Sequence, residues 1–378
     1  TAVHVHHGLQ DEADGWLEFC RDYCDRLAVP LRWQKVDVVS DGLGIEAAAR
    51  QARYRVFGET EADVLAAAHH ADDQVETFML AALRGGGLRA LSAMPEQRAL
   101  TEKTVLWRPL LAFSRAEIEQ YAEDNALVFV HDDSNENPAF LRNWLRGRWL
   151  PDLAARLPHY AEHLHSSIAL LQEERALLEE VAAQDWQAVR CAQGLHQARW
   201  QAFSPARQRQ LLHTFARQYG LGAPTAGSLH LWADWLWQAE RGEWCLPRGR
   251  AVLSHGVLFA VPQDFAWSWP WVAQPVQGSL HLAAQKAGLA WQGSAPQGAG
   301  CFRAARRDDE LPTNIGHKNV FRLLQEKRVP AFVRPFWAVA CDENGRCIAV
   351  ANLRSAPELG QARLIAPDLL PYLPQKAA

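Results

Sequence analysis

No stretch of this 378-residue chain approaches the ~20 consecutive apolar residues that a bilayer-spanning helix requires, although 48% of its residues are apolar. The basic, apolar and small-residue order of a secretory leader is absent as well, so a soluble cytoplasmic protein is the expectation. Cysteine is sparse: Cys20, Cys24, Cys191, Cys245, Cys301, Cys341 and Cys347 are odd in number and form no C-x-x-C pair, which excludes a disulfide framework and a zinc ribbon. There is no internal repeat, and no strong excess of charge of either sign.

The net charge of -4 is unevenly distributed. Residues 1–150 carry 16 Lys+Arg against 24 Asp+Glu, a net -8, residues 151–300 carry 11 of each, and residues 301–378 carry 12 against 8, a net +4. Anions are therefore best received near the end of the chain. At this length two or three domains are expected.

Residues 2–6 read as a strand. Residues 11–27 read as a helix, because Trp16, Phe19, Cys20, Tyr23, Cys24 and Leu27 recur at helical spacing, which places Cys20 and Cys24 toward the core as small hydrophobes. A strand at 31–38, a helix at 45–57, a strand at 64–68 and a helix at 72–83 follow. This alternation predicts an α/β fold with a doubly wound parallel sheet, whose ligands sit at the carboxyl ends of strands. The loop at 68–71 is thus the first place to look for chemistry. A helix at 115–125 precedes Pro151 and Pro158, where the first domain, 1–150, ends. A helical linker and middle domain is expected over 151–292, containing a long helix near 159–183 and helical pattern over 200–240. After a Gly/Gln/Ser-rich interval, a small α+β module is expected over 300–378. It holds a helix near 318–327 and two strands joined through Asp342-Glu343-Asn344-Gly345.

Three segments concentrate functional groups. In HHADDQVETFMLAALRGGG, residues 69–87, Val75, Phe78, Met79, Ala82 and Leu83 form an apolar helical face, Asp73 and Glu76 point away from it, and Asp72 lies at its edge. Acidic residues in a first turn are accounted for by the helix dipole, worth ~0.3 to 1 kcal/mol each. Three carboxylates within five residues at a strand's end also suit magnesium beside a nucleotide's phosphates. In GLGIEAAARQARY, Glu46, Arg50 and Arg53 share a face, for which a surface ion pair is the simpler account. HDDSNENPAFLRNWLR offers Asp132, Asp133, Ser134 and Asn135, then Arg142, Asn143 and Arg146, a density beyond ordinary turn chemistry.

These segments, in this order and with LWRPLL at 106–111 between the second and third, resemble the catalytic domain of the tRNA(Ile)-lysidine synthetases, of the N-type ATP pyrophosphatase (PP-loop) superfamily. The motifs HVHHGL, G-I-E-A-x-A-R-x-x-R-Y, H-x-x-D-D-Q-x-E-T, R-P-L-L and D-x-S-N followed by R-N-x-x-R are far more specific together than singly. A weaker likeness runs through LLQEKRVPAFVRP and so covers essentially the whole chain. One motif is missing. The superfamily's S-G-G-x-D-S phosphate loop does not occur, and Gly85-Gly86-Gly87 follows a helix and does not replace it. A strand, loop and helix preceding Thr1 are the expected source.

The resemblance implies ATP-dependent conversion of the wobble cytidine of the CAU anticodon of tRNA(Ile) to lysidine. The cytidine oxygen at C2 attacks the α-phosphate of ATP and expels pyrophosphate, and the lysine amine then displaces AMP. It implies Asp72, Asp73 and Glu76 as catalytic residues and magnesium ligands, with Asp132 also catalytic. His69, Arg84, Arg142, Asn143 and Arg146 are expected on the nucleotide, and Glu46, Arg50, Arg53, Arg108 and Asn135 on substrate. Arg306, Arg307, Lys318, Arg322 and Arg334 are expected on tRNA. The expected partners are tRNA(Ile), L-lysine, ATP and magnesium, with a homodimer admitted and no membrane. A tRNA thiolase of the same superfamily is the rival, disfavoured by the missing C-x-x-C. A small-molecule amidotransferase or ligase on the same fold would leave the basic end unexplained. A non-catalytic RNA-binding relative stands as the third reading.

Overall fold

The computed structural model describes residues 1–38, 44–132, 137, 138, 140–266 and 268–374, and the chain divides into two compact units, Thr1–Leu178 and a second beginning at Glu179. In the first unit, β1 (Ala2–His6) and β2 (Leu31–Lys35) pair in parallel, with Ala2 opposite Leu31 and His6 opposite Lys35. Helix α1 (Ala13–Arg26) makes the crossover that parallel strands require. Cys24 of α1 is buried, while Cys20 is half-buried with its Sγ 3.6 Å from His4 Nδ1. Helix α2 (Ile45–Gly58) packs Ala52 and Val56 against Val36, with Val3 and Val5 of β1 alongside.

Strand β3 (Val64–Ala66) leads into α3 (Ala71–Leu83), the short α4 (Leu88–Leu91), β4 (Gln97–Ala99) and β5 (Val105–Trp107). Strand β5 runs parallel to β3 and antiparallel to β4. This parallel α/β arrangement matches the fold class expected from the alternating pattern, although three-residue strands such as β4 and β5 carry too little alternation to be read in advance. Helix α5 (Arg115–Asp124) starts at a reciprocal cap in which Ser114 Oγ accepts from the Glu117 amide and Glu117 Oε2 accepts from the Ser114 amide at 2.7 Å.

Helix α6 (Leu141–Trp144) continues through a π-helical turn at Leu145–Trp149 into α7 (Leu150–Arg156) and then α8 (Tyr160–Val189), which contributes to both units. Leu145 and Leu150 pack on Val75 of α3. That contact docks the α6 segment on the side of α3 that carries the carboxylates. The expectation that Asp73 and Glu76 project away from packed surface is therefore corrected. Both are buried, Glu76 being 0% exposed, whereas Leu83 on the supposed core face is exposed.

The second unit holds two cores. One gathers Trp186, Trp200, Leu211, Phe215, Leu236 and Trp244 from helices and from a five-stranded antiparallel sheet. Its strands are β6 (Arg190–Cys191), β7 (Gly194–His196), β8 (Arg241–Leu246), β9 (Gly249–Ser254) and β10 (Val257–Pro262), in the order β6-β7-β10-β9-β8. The middle segment is thus not helical alone. The second core surrounds Trp271, Phe302, Trp337 and Leu364. There the strand Val276–Ser279 pairs with Ala299–Ala304, so the 292–300 interval lies inside one sheet and does not separate two modules. The first compact unit runs on past residue 150, to Leu178 within α8. The hairpin Ala338–Asp342/Cys347–Val350 forms as expected. Asp342 Oδ1 accepts from the amides of Asn344 and Arg346, and Gly345 takes the positive φ, +78°, that this turn needs. Among the described residues no helix is long and apolar enough to cross a membrane.

Candidate active site

A cleft of about 470 Å³ opens at the carboxyl ends of β1 and β3, where parallel sheets place ligands. Its walls come from His4 to Gln10 and Trp16, from Arg50 and Arg53 of α2, from His69 and Asp73 where β3 turns into α3, and from Asp132, Phe140, Arg142, Asn143 and Arg146. Eight of the expected site residues therefore meet in one place: Asp73, Asp132, His69, Arg142, Asn143, Arg146, Arg50 and Arg53. Gly8, at φ +62°, lets the chain turn off β1 under the cleft with its backbone exposed to it.

The floor is an ionic network. Arg142 donates from Nε to Glu76 Oε2 at 2.6 Å and from Nη2 to Asp73 Oδ1 at 2.8 Å. Arg146 donates from Nε to Glu76 Oε1 at 2.6 Å and from Nη2 to Glu76 Oε2 at 3.0 Å. Charge-assisted bonds of this length, made by planar guanidinium groups, fix both arginines in place while leaving part of each side chain at the cleft. The Glu76 bond, opposed by burial, raises Arg146 above the ordinary guanidinium value. Helix α3 is itself anchored by Gln74, whose amide donates to Met94 O at 2.7 Å and accepts from the Met94 amide at 2.8 Å.

The three carboxylates expected to share a magnesium ion diverge. Asp72 accepts from the Arg115 amide at 2.7 Å, and its hydrogen bond with His70 holds its pKa at about 2, so it is ionised and half-exposed. Asp73 Oδ2 accepts from the His70 amide at 3.1 Å. Both oxygens of Glu76 accept from guanidinium groups, and the side chain is buried and does not line the cleft. Among the described residues no three of His, Cys, Asp and Glu are arranged around a metal position. Magnesium, however, is commonly held by one or two carboxylates plus substrate phosphates. The donor set fits that demand through Asp73, which lines the cleft, with ionised Asp72 beside it in the chain but outside the cleft lining.

Burial lowers His69 to about 4, against the opposing pull of Asp73, so it stands neutral at the cleft wall. His7 is also lowered, by burial and then by Arg53, whose Nε donates to His7 Nε2 at 3.5 Å. His4, His6 and His7 line the cleft as well, although three single histidines without a companion cluster carry no ligand signal of their own in the sequence. The available signal was their place at the carboxyl end of a parallel strand. Arg84, by contrast, caps the far end of α3 and does not line the cleft, and Arg108 is buried behind it. The Glu46 side chain, Asp133, Ser134 and Asn135 lie outside the described residues.

In the second unit Arg306 and Arg307 are exposed, Lys318 and Arg322 both reach Glu326, and Arg334 donates to Val329 O at 2.8 Å while lining a separate groove. Arg303, counted with the basic residues of this region, is instead buried in a pair with Asp309, its Nη2 2.6 Å from Oδ1.

A PP-loop domain family matches residues 1–153. The chain is 42% identical over 365 residues to a tRNA(Ile)-lysidine synthase of Neisseria gonorrhoeae, covering 93% of this chain and 81% of that protein. It is 38% identical over 374 residues to one from Chromobacterium violaceum, covering 93% and 84%. A solved U34-tRNA thiolase from Methanococcus maripaludis, carrying a 4Fe-4S cluster, aligns with a TM-score of 0.37 at 16% identity over 45% of this chain and 62% of that one.

Proposed function

We propose, from the premise that the chain belongs to the tRNA(Ile)-lysidine synthase family, a division of roles within the cleft for the reaction that the family performs. The protein is an ATP-dependent ligase that modifies the wobble cytidine of the CAU anticodon of tRNA(Ile) to lysidine, by adenylation at C2 followed by attack of the lysine side-chain amine. The observation that carries the assignment of roles is the Asp73–Glu76–Arg142–Arg146 network on the cleft floor.

Adenylation builds negative charge at the α-phosphate, and fixed cations aimed there lower the barrier because they need not reorganise as charge develops. Arg142 and Arg146, held by Glu76, meet that demand. His69, neutral, offers a hydrogen bond to the nucleotide without adding charge, and Asn143 completes that wall. Magnesium would be held by Asp73 and Asp72 and would neutralise the leaving pyrophosphate. The second step needs a neutral lysine amine, so a carboxylate must first hold the ammonium and then accept its proton. Asp132 on the cleft wall takes that role, with Arg50 and Arg53 facing the RNA.

The test supplies radiolabelled lysine, ATP and tRNA(Ile) bearing CAU to the full-length protein. Label in the tRNA, with AMP and pyrophosphate released, is the expected result. Thiolation from a sulfur donor without lysine incorporation would reject it.

A further inference from the structure

Beside the main cleft, and sharing Arg50, Arg53 and His69 with it, lies a smaller cavity of about 350 Å³ between α2 and residues 66–68 at the end of β3. Its other side chains include Tyr54 and Phe57, whose rings sit 5.7 Å apart. Three guanidinium groups converge on Tyr54. Arg50 lies 4.9 Å and Arg98 5.1 Å from its ring centroid, Arg50 Nη2 donates to its hydroxyl at 3.4 Å, and the charge of Arg108 is near enough to act on it.

None of Arg50, Arg53, Arg98 and Arg108 has a carboxylate partner among the described residues, in a segment whose net charge is -8. The contrast with Arg142 and Arg146, fully matched by acid a short distance away, is sharp. Arg108 is only 2% exposed, yet its Nε has no partner, while its Nη1 donates to Pro95 O at 2.7 Å. Leaving a buried cationic donor unmatched costs free energy, and gathering like charges costs more. Burial first, then the charge of Arg50, lower Arg53; burial and the repulsion of Arg98 and Arg50 likewise lower Arg108. Such an arrangement is stabilised by an anion that enters from outside.

We propose that the Arg50–Arg53–Arg98–Arg108 cluster around Tyr54 is a subsite for a backbone phosphate of the RNA, next to the nucleotide that is modified. This rests on the reading of the protein as a tRNA-modifying enzyme. Two features favour RNA over the phosphates of ATP. Aromatic rings beside guanidinium groups suit a splayed nucleotide, which stacks its base and offers its phosphate at once. The cluster also opens, past Tyr54 and Phe57, into the smaller cavity, which Arg142 and Arg146, the cations already placed for the nucleotide, do not line. Sequence reading placed Arg50, Arg53 and Arg108 on substrate but missed Arg98 and Tyr54, which nothing in a linear pattern joins to them.

The test measures binding of an anticodon stem-loop RNA, of a plain RNA duplex and of inorganic pyrophosphate to the full-length protein and to Arg98→Gln and Tyr54→Phe. Each is measured across a salt series, with thermal midpoints recorded. Arg98 is exposed, so its replacement leaves the fold intact. Arg98→Gln is expected to weaken stem-loop binding by roughly threefold to tenfold and to reduce the slope of log affinity against log salt by about 1, with duplex and pyrophosphate binding unchanged. Tyr54→Phe, which keeps the ring and loses the hydroxyl that orients the arginines, is expected to show a smaller loss. Loss of pyrophosphate binding alone assigns the cluster to the nucleotide and overturns the proposal, as does unchanged binding of all three probes by both variants. If the unaltered protein binds no stem-loop, the tRNA reading itself falls; if it binds and the variants bind equally, only this subsite does.

Discussion

Arg142 and Glu76 stand 66 positions apart in the chain, yet the guanidinium Nε lies 2.6 Å from the carboxylate Oε2. Arg146 takes the other Glu76 oxygen at the same distance, and no surface of Glu76 remains exposed. A carboxylate so enclosed organises cations. Its function is to aim two arginines whose other edges reach the cleft.

Glu76→Gln keeps the shape and removes the charge, leaving two guanidinium groups around one neutral acceptor. Breaking a buried pair in this way costs about 3 kcal/mol. Urea titrations of the wild type and variant should therefore show a clearly lower midpoint with an unchanged slope. An unmoved midpoint would mean that the network contributes to position and not to stability.

Asp73→Ala removes the cleft-facing carboxylate while Glu76 continues to hold both arginines. Adenylation should fall by roughly a hundredfold or more, the scale seen when one preorganised electrostatic group is lost. Affinity for tRNA should stay within about twofold, because Asp73 is a partner of Arg142 and not of the basic surface. Pyrophosphate release and tRNA binding measured in parallel decide the matter, and wild-type release would remove Asp73 from the site.

The order of strands and helices from β1 to α3 was legible because its helices span thirteen or fourteen residues, long enough for an apolar period to show. The sheet of β6 to β10 was not, since its strands are two to six residues long and several have both faces buried. At the site, residue types and their order could be read, but the burial of Asp73 and Glu76 could not. What covers them is a pair of arginines from 66 to 70 residues away, and a charged face covered by opposite charge has the same sequence pattern as a charged face covered by water. Arg84 shows the reverse error, sharing a motif with the site residues while sitting a full helix length from them.

His69 gives the fold a pH dependence of definite sign. Its folded pKa is about 4, below the ordinary value of 6.5, so between those values the unfolded chain binds more protons than the folded one. Stability must then rise with pH across that window and be lost as pH falls through it, levelling off below about 4 for this group. Urea midpoints from pH 4 to 7 should climb less steeply in His69→Asn than in the wild type. Some slope will persist, because burial lowers His4, His7 and His165 too. Parallel profiles would show that His69 is not held neutral by the fold.

Capture of tRNA is the remaining division of labour, and it follows from the charge distribution. The segment of net -8 repels a polyanion at long range, whereas residues 301–378, at +4, attract it, and each phosphate contact releases counterions and steepens the fall of affinity with salt. Deleting 301–378 is a poor test, because Ala299–Ala304 is a central strand and Phe302 and Trp337 fill the core. Point changes discriminate better. Arg306→Gln with Arg307→Gln removes two exposed cations and should lower the salt slope by about 2 while leaving the thermal midpoint in place. Arg322→Gln should do less, because Glu326 already lies 3.9 Å from that guanidinium although the side chain is 80% exposed. Arg303→Gln should do the opposite of the double change: its charge is spent on buried Asp309, so stability falls and the salt slope holds. If the double variant binds tRNA with the wild-type slope, this basic surface is not where the tRNA backbone is held.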